Sequence, residues 1–559
     1  MTPQQAAAAE QFDRHMLETT GYTYGEYERV HDAGPSAPEH VQLYGQLVDE
    51  SGAVDMLQQW DEEDRKASSG RKPLINFRAT LTLYLMHTDG GNQRYWDVAR
   101  TLSARLTDES FDYLDIKERN GSKDDWYHRY WRAVNRILRL TSPWEVPRNS
   151  FLTAIGYQRA LEAYSQQRRD RMDQLMNALL HAAVRRLPAD IRSTYKGNVA
   201  IDATLLAIAG RPNPGEKYND RDRVNLDAMS GAYTRKGKHK GKGKRTDLAG
   251  WEAETVVTVP NAPGQPDSFP VLTTGLTLHQ PGRIKHGPLI AIEHHTRLFE
   301  ERGFIMADRA YNGLRADRFQ NPTRKLGFRA VYKYKDNSTG KQGAIDDVIL
   351  VDGCLYVRWM PEALATASHD YLFKKSIDRE TYHKRLQKRT AYRLLEKGRP
   401  DADGYQRFTF PDLSKLMCID PATGKRVKPE LANRTFTLGP TNQASMTIIK
   451  SLQTFEYRSE KWYAWQGLRS HVESNNQYLK DDSHTDLGNP SKRRPRGYSS
   501  QGLAVAAAAT VANIRRIVTF VTNKAKRVLE PKQLRARRRT DETGTRLEHL
   551  SPTEPPQQQ

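Results

Sequence analysis

The chain has 559 residues, of which 87 are Lys or Arg and 67 are Asp or Glu, so its formal net charge is +20. This length is sufficient for several domains with buried cores, and the composition excludes collagen-like and disulfide-rich classes. The two cysteines, Cys354 and Cys418, form no metal-spaced cluster, which predicts a reduced, intracellular chain. A basic excess of this size is typical of a polyanionic partner, although it can also serve solubility alone.

The first part of the chain is acidic. Residues 1–66 hold fourteen acidic and four basic residues, so the rest of the chain carries a net charge of +30. Segments whose charges have mostly one sign are usually solvated faces or tails. We therefore predict an acidic and partly disordered leader over residues 1–69.

Residues 70–195 show helical periodicity and are a candidate DNA-binding region. Within them, the segment 126–140 has an apolar back on the helical wheel, formed by Tyr130, Trp131, Val134, Ile137 and Leu138. The other side of the wheel carries Arg129, Arg132, Arg136 and Arg139. A helix with an arginine front can lie in a DNA groove or along phosphates. The alternative is an ordinary solvated helix of a bundle.

From residue 196 the pattern changes to that of an α/β layer. Short apolar runs typical of strands occur at 199–201, 255–259, 271–278, 304–307 and 328–332. One helical segment, 288–300, lies between the third and fourth runs, and another follows Gly313. This order of elements predicts a mixed sheet with flanking helices over residues 196–335, which would be the first part of a core. The order is three strands, a helix, a strand, a helix and a strand.

An inserted α+β subdomain is predicted to interrupt this core over residues 336–460. It contains a hairpin that turns at Asp352-Gly353 and a basic helix over 378–396.

The second part of the core is predicted over residues 461–522. Its long apolar stretch, 503–521, is interrupted by Asn513, Arg515 and Arg516, which predicts a buried helix rather than a membrane span.

Two basic runs are candidates for DNA binding. The first, 235–245, alternates cations with glycines and has the composition of a mobile loop that can follow a phosphate backbone. Its lysines are Lys236, Lys238, Lys240, Lys242 and Lys244. The second run lies in a tail, 523–559, of disordered composition, and includes Arg537 and Arg538. The alternative for both runs is surface charge without a partner.

Three acidic residues lie where metal chemistry can be expected. Asp202 and Asp308 each end an apolar run, so both carboxylates are predicted at the rim of the sheet. Glu473 lies on a predicted helix, 461–482, between Arg469 and Lys480 at helical spacing. A lone Asp at a strand end is weak evidence, because turns and caps use Asp freely. For Glu473 the alternative is a solvated ion pair with Arg469.

Four histidines, His279, His286, His294 and His295, lie within seventeen residues. No cysteine or carboxylate stands at a familiar ligand spacing from them. We therefore favour ordinary surface histidines over a zinc site.

The order of Asp202 in IDAT, Asp308 in ADRAYN and Glu473 in RSHVESNNQYLK resembles the DDE transposases of bacterial insertion sequences, which have a ribonuclease H-like catalytic core. The resemblance covers roughly residues 196–335 and 450–515. It says little about the N-terminal helices or the inserted block.

One branch of that family has a signature of Tyr, two residues, Arg, three residues, Glu, six residues and Lys. This chain matches it at Arg469, Glu473 and Lys480, but Gln466 stands at the Tyr position. Tyr311 also matches a family pattern of Asp, two residues and Tyr.

The resemblance implies an enzyme that cleaves transposon ends and joins the freed 3′-hydroxyl to target DNA. It implies that Asp202, Asp308 and Glu473 bind Mg²⁺ or Mn²⁺ as the cofactor, while Arg469 and Lys480 hold phosphates. The implied partner is double-stranded DNA, both transposon ends and target, in the bacterial cytoplasm with the nucleoid and without a membrane. Joining two ends is compatible with a homodimer.

Two other functions share these residues. A nuclease with the same core would cleave strands without joining them. A domesticated DNA-binding relative would not catalyse at all, although the presence of all three acids argues against it.

Overall fold

The computed structural model describes residues 2–34, 36–65, 73–146, 151–209, 227–235, 246–284, 287–335 and 338–529. The chain is a mixed α/β protein with an α-helical N-terminal region. That region consists of α1 (Pro3–Thr20), α2 (Tyr24–Ala33), α3 (Pro38–Ser51), α4 (Ala53–Glu63), α5 (Phe77–Asp89), α6 (Tyr95–Ala104), α7 (Asp108–Tyr113), α8 (Lys123–Thr141), α9 (Ala154–Glu162), α10 (Gln166–Arg185) and α11 (Ala189–Arg192).

The acidic leader is folded, which corrects the expectation of partial disorder over the residues that the structure describes. Its four helices, α1 to α4, pack on the following helices and on the C-terminal helix. Their acids pair with arginines of the body: Glu63 and Asp64 both bind Arg171, and Glu50 binds Arg186. These ion pairs add to an apolar core that the leader shares with the following helices, to which it contributes Tyr44, Leu47 and Trp60.

The first part of the core begins with the strands that the apolar runs predicted. It consists of β1 (Val199–Ala207), β2 (Gly231–Arg235), β3 (Thr246–Thr258), β4 (Thr273–His279), α12 (Gly287–Thr296), β5 (Phe304–Ala307), α13 (Arg309–Asn312), α14 (Gln320–Lys325) and β6 (Arg329–Tyr332). The predicted order of strands and helices is confirmed. β2 is an additional strand, which the sequence analysis missed because its residues lie beside the basic run.

These strands form one mixed sheet in the order β2-β3-β1-β5-β6, with β4 also paired to β3. β1 is antiparallel to β3 but parallel to β5, and β5 is parallel to β6. Successive side chains of a strand face opposite sides of a sheet. Accordingly, Val199 and Ile201 pack toward α12, whereas Ala200 packs toward the helices that follow the inserted subdomain.

The second part of the core supplies those helices. It consists of α19 (Glu460–Gln466), a 3₁₀ turn (Gly467–Arg469), α20 (Ser470–Lys480) and α21 (Tyr498–Leu529). By length and composition α21 could cross a membrane, but its apolar window is 78% buried inside the protein. Two of the polar residues that interrupt its apolar stretch have partners inside the protein. Asn513 hydrogen-bonds the backbone of Thr273 in β4, and Arg515 pairs with Asp89.

The inserted subdomain has three small sheets and short helices. It consists of β7 (Lys341–Ile345), β8 (Val348–Val351), β9 (Cys354–Val357), α15 (Glu362–Ala365), α16 (Ala367–His369), a π-helical turn (Asp370–Lys374), α17 (Arg379–Thr390), β10 (Leu395–Lys397), β11 (Gln406–Thr409), a 3₁₀ turn (Leu413–Lys415), β12 (Cys418–Ile419), β13 (Arg426–Val427), β14 (Thr435–Leu438) and α18 (Gln443–Ser451).

The predicted hairpin is formed by β8 and β9, and both turn residues, Asp352 and Gly353, have positive φ, as a two-residue turn of this kind requires. The basic helix begins where it was predicted, with Asp378 as its N-cap, but it ends at Thr390. The residues after it pair with β11 as β10, because a strand partner is available there.

The edge of β6 is closed by the segment that leaves the inserted subdomain. The side chain of Gln453 accepts from Tyr332 N and donates to Tyr332 O, both at 2.9 Å. The backbone N–H of Thr454 bonds Ala330 O at 3.0 Å. An open sheet edge would leave these groups unpaired, so the insertion both covers the edge and fixes the start of α19.

Candidate active site at the rim of the central sheet

Two strands of the sheet bring Asp202 and Asp308 together. In the parallel pair, Ala200 is the partner of Met306, and continuing this register by two residues places Asp308 beside Asp202. β5 ends at Ala307, and the Asp308 carboxylate then caps α13 by accepting from Ala310 N at 2.7 Å. Asp308 is therefore at the rim, as predicted.

The position of Asp202 corrects the sequence analysis in one respect. It was expected at the end of its strand, but β1 continues to Ala207 because β3 pairs with it along its whole length. The rim at this point is made by the end of β5 alone. Asp202 thus lies on a continuous strand, where its backbone is held on one side by the antiparallel ladder.

The segment with Glu473 crosses this rim. It was predicted as one helix, and the structure divides it by the 3₁₀ turn that carries Arg469. Its apolar residues Leu468, Val472 and Leu479 are buried. The amide of Gln466 donates to Ala307 O at 3.3 Å. Gln466, at the Tyr position of the family signature, therefore fastens the helix to the residue before Asp308.

Arg469 lies between two of the three acids. Its Nη1 is 3.5 Å from Asp202 Oδ2, and its Nη2 donates to Glu473 Oε1. Arg469 and Asp202 are mostly buried, with 18% and 24% of their side chains exposed, whereas Glu473 is 55% exposed. The solvated ion pair that we considered as an alternative is thus present, but it also includes Asp202 from the sheet.

Burial raises the pKa of Asp202 to about 7. The Arg469 guanidinium opposes this rise, while the charges of Asp308 and Glu473 add to it. A carboxylate whose ionised form is penalised by burial and by two like charges is a group that a further cation would stabilise. Perturbed titration of this kind is typical of functional sites, although structural ion pairs also produce it.

The rim is chemically suited to a hard divalent cation, since its donors are carboxylate oxygens. Among the residues that the structure describes, however, no three His, Cys, Asp or Glu side chains lie close enough together to hold one metal ion. The position of Arg469 provides a physical reason, because the guanidinium already neutralises Asp202 and Glu473. The donor set fits a cation, provided that Arg469 gives up at least one of these contacts.

Comparisons of the chain with protein-family models, with curated proteins and with solved structures give no match. The assignment of a function therefore depends on the residues at this rim.

Behind the rim lies a buried polar chain that the sequence analysis did not identify. Glu254, in β3, is fully buried; it accepts from Tyr311 Oη at 2.7 Å and lies 3.0 Å from His279 Nε2. Burial disfavours protonation of His279, but its hydrogen bond to Glu254 and the charge of that residue raise its pKa. Tyr311 is three residues after Asp308, so this chain anchors the turn that carries Asp308. In the sequence, only the pattern of Asp, two residues and Tyr indicated this polar chain.

The interpretation as surface histidines was wrong for His279, His294 and His295. His294 and His295 are buried rather than on the surface, and burial lowers the pKa of each to about 3. His295 contacts Thr274 of β4 at 2.8 Å, and the ring of His294 lies 6.2 Å from that of His181 in α10. His286 lies outside the described residues.

Lys480 is the last residue of α20, two helical turns beyond Glu473, or about 10 Å along the axis. It is half-buried. The structure thus places Arg469 in contact with the acids and Lys480 farther along the same helix.

The arginine front of α8 divides into two pairs. Arg129 donates to Asn120 O at 2.7 Å, and Arg136 pairs with Asp61 of the leader at 3.0 Å. Arg132 and Arg139 are exposed.

Trp131, predicted on the apolar back of α8, is in fact 38% exposed. The lysines of the basic loop, from Lys236 to Lys244, and Arg537 and Arg538 of the tail lie outside the described residues.

Proposed function

We propose that the protein is a metal-dependent DNA transposase with a ribonuclease H-like core, which cleaves transposon ends and joins the freed 3′-hydroxyl to target DNA. One observation carries the proposal: Arg469 contacts Asp202 and Glu473, and the register of β1 and β5 places Asp308 beside Asp202, so three acids far apart in the sequence lie at one edge of the sheet. The order of the strands, three antiparallel followed by two parallel, also supports it.

The roles of the residues follow from their positions. Asp202, Asp308 and Glu473 would hold Mg²⁺ or Mn²⁺, which supplies Lewis-acid activation of water and stabilises a leaving oxygen. Arg469 keeps the carboxylates together before the cation binds, because it neutralises their repulsion.

Arg469 also has a role toward DNA. Its Nη1 lies 3.5 Å from Asp202 Oδ2 and makes no hydrogen bond among the described residues, so it would donate to a phosphate oxygen once it leaves Asp202. Lys480, together with the basic loop and tail, would add salt-dependent affinity for double-stranded DNA. A homodimer that brings two ends together belongs to the same proposal.

The test is a strand-transfer assay with the full-length chain. The substrate is a labelled duplex made from the DNA that brackets the coding region, cut to leave a free 3′-hydroxyl, together with a supercoiled plasmid and Mg²⁺. We expect labelled plasmid as the joined product. Asp308→Asn should reduce joining to background while DNA affinity stays within about twofold, because the substitution removes a metal ligand and not a DNA contact. Asp317→Asn, an exposed acid beyond α13, is the matched control.

Two outcomes would contradict the proposal. Metal-dependent cleavage without joined product would favour the nuclease with the same core. Full joining by Asp308→Asn would remove Asp308 from the site.

A further inference from the structure

A second cationic site lies where the inserted subdomain meets the core. A cavity of about 40 Å³ is lined by α14 and β6 from the core and by β10 and β11 from the insertion. A single water needs roughly 10–15 Å³ of such space, so the cavity has room for a few waters or one small ion. Its charged lining residues are Arg324, Arg329, Arg399 and Glu396.

Arg324 is the buried member of this group. Only 7% of it is exposed, and its Nη2 donates to Gln406 Oε1 at 2.9 Å. Its Nε and Nη1 are also buried, and they have no hydrogen-bond partner among the described residues. Burial lowers the pKa of Arg324 to about 10, and the more distant charges of Glu396 and Asp401 offset only part of that effect.

A buried guanidinium with one neutral partner is costly, because buried charges are normally paired or bound to a ligand. Glu396 does not supply the missing charge, since it pairs with Arg329 at 3.5 Å. Arg329 also has a buried Nε without a hydrogen-bond partner among the described residues. The lining holds three arginines against one carboxylate, so the cavity lacks negative charge.

We propose that this cavity binds a phosphate group, held by the free guanidinium nitrogens of Arg324 and Arg329 with Arg399 at the mouth. Planar guanidinium groups bind phosphate oxygens through paired N–H donors. Glu396 orients Arg329 rather than touching the anion. The phosphate belongs either to a DNA strand or to a free phosphate compound, and the chemistry of recognition is the same for both.

The cavity is connected to the proposed active site. Gln320 lines it and donates to Tyr311 O at 3.0 Å. Tyr311 lies in α13, which begins directly after Asp308. Gln320 therefore links the lining of the cavity to α13 and so to the turn that carries Asp308.

The first experiment measures phosphate binding by the full-length chain in EDTA, so that no metal-dependent reaction contributes. The midpoint of thermal unfolding is followed against inorganic phosphate, with chloride keeping the ionic strength constant. A ligand that binds only the folded state raises this midpoint. We expect a rise for the wild type and an Arg324→Gln variant whose phosphate response needs about tenfold more phosphate, because charge-assisted hydrogen bonds are lost.

Arg407→Gln is the matched control, because Arg407 is an exposed arginine in β11, next to Gln406. It should respond to phosphate like the wild type. Without phosphate, Arg324→Gln should unfold at or above the wild-type temperature, since it removes an uncompensated buried charge. Should Arg324→Gln fail to fold, Arg399→Gln, an exposed lining residue, must weaken the phosphate response about threefold or the proposal fails.

Two results would overturn the site: a wild-type midpoint that does not distinguish phosphate from chloride, or an Arg324→Gln variant that responds like the wild type.

A second measurement identifies the molecule that supplies the phosphate group. In EDTA, the affinity for a labelled DNA duplex is compared between wild type and Arg324→Gln. If DNA supplies the phosphate, the variant binds DNA about tenfold more weakly and inorganic phosphate competes with DNA for the wild type. If a free phosphate compound is the ligand, DNA affinity is unchanged in the variant. Neither measurement uses cleavage or joining, so the site and the proposed catalysis can fail separately.

Discussion

Two of the arginines that each bind two carboxylates, Arg389 and Arg469, differ in their surroundings. In the inserted subdomain, Arg389 and Asp352 are fully buried, and Arg389 also binds Glu456. Every carboxylate there has a further donor: Gly340 N and Ser368 Oγ for Asp352, and Tyr356 Oη for Glu456. At the rim of the sheet, Arg469 binds Asp202 and Glu473, but Glu473 is more than half exposed.

The difference separates a structural centre from one that can exchange partners. Around Arg389 both carboxylates are buried and each accepts a further hydrogen bond from the insertion itself, so this centre holds the insertion together. Around Arg469 the carboxylate of Glu473 is exposed to solvent, and a third acid, Asp308, lies beside Asp202. The same pair of residue types thus stabilises the fold in one place and leaves a charged site accessible in the other.

The largest expected effect is on stability. Arg389→Ala should lower the free energy of unfolding by about 3–5 kcal/mol, because it leaves two buried carboxylates without their cation. Arg469→Ala should cost about 1 kcal/mol or less, since Glu473 is exposed to water and Asp202, whose pKa burial raises to about 7, can take up a proton. Urea unfolding of the two variants measures both values. Equal losses of unfolding free energy would show that the Arg469 centre is as structural as the Arg389 centre.

The second prediction concerns pH. The folded pKa of Asp202 is about 7 and its ordinary value is 3.8, so the folded state binds more protons between these values. Stability from this group is present below about pH 4 and is lost as the pH rises through 7. In EDTA, the free energy of unfolding of Asp202→Asn should therefore rise relative to that of the wild type by roughly 2–4 kcal/mol between pH 4 and pH 8. A difference that stays constant with pH would contradict the raised pKa.

The third prediction tests the polar chain behind the rim. Tyr311→Phe removes a donor from the buried Glu254, which should cost about 1–3 kcal/mol of stability. If the proposed catalysis is correct, it should also reduce strand transfer about 10- to 100-fold, as expected for a residue that positions a ligand. Tyr332→Phe is the control, since its hydroxyl bonds only a neutral partner, Thr323, at 3.3 Å. Equal effects on strand transfer would assign Tyr311 to general packing.

The smallest expected effect concerns DNA affinity through α8. Replacing the exposed Arg132 and Arg139 with Ala should reduce the slope of log affinity against log salt by about 2, because two phosphate contacts are lost. Replacing Arg129 and Arg136, which bind groups of the protein itself, should change the slope by less than about 1. Filter binding between 50 and 200 mM salt, as an order-of-magnitude range, distinguishes the two pairs. A larger change for the second pair would exclude this face of α8 as a DNA surface.

Local pattern predicted much of the core. Apolar runs located the strands from β1 to β6 other than β2, and Asp352-Gly353 located the turn of the hairpin, because these features depend on a few neighbouring residues. The end of α17 and the continuation of β1 beyond Asp202 were missed. The first depends on pairing of the following residues with β11 and the second on pairing with β3, and such pairing overrides local preference.

The sequence alone determined which residues carry charge and in what order, and hence that Asp202, Asp308 and Glu473 were candidates. Only the tertiary structure decided which charges meet. It placed Arg469 between two of those acids, paired the acidic leader with arginines of the body, and left Arg324 in a cavity without a negative partner. Electrostatic energy depends on distance and on access to water, and neither is fixed until residues far apart in the chain have packed together.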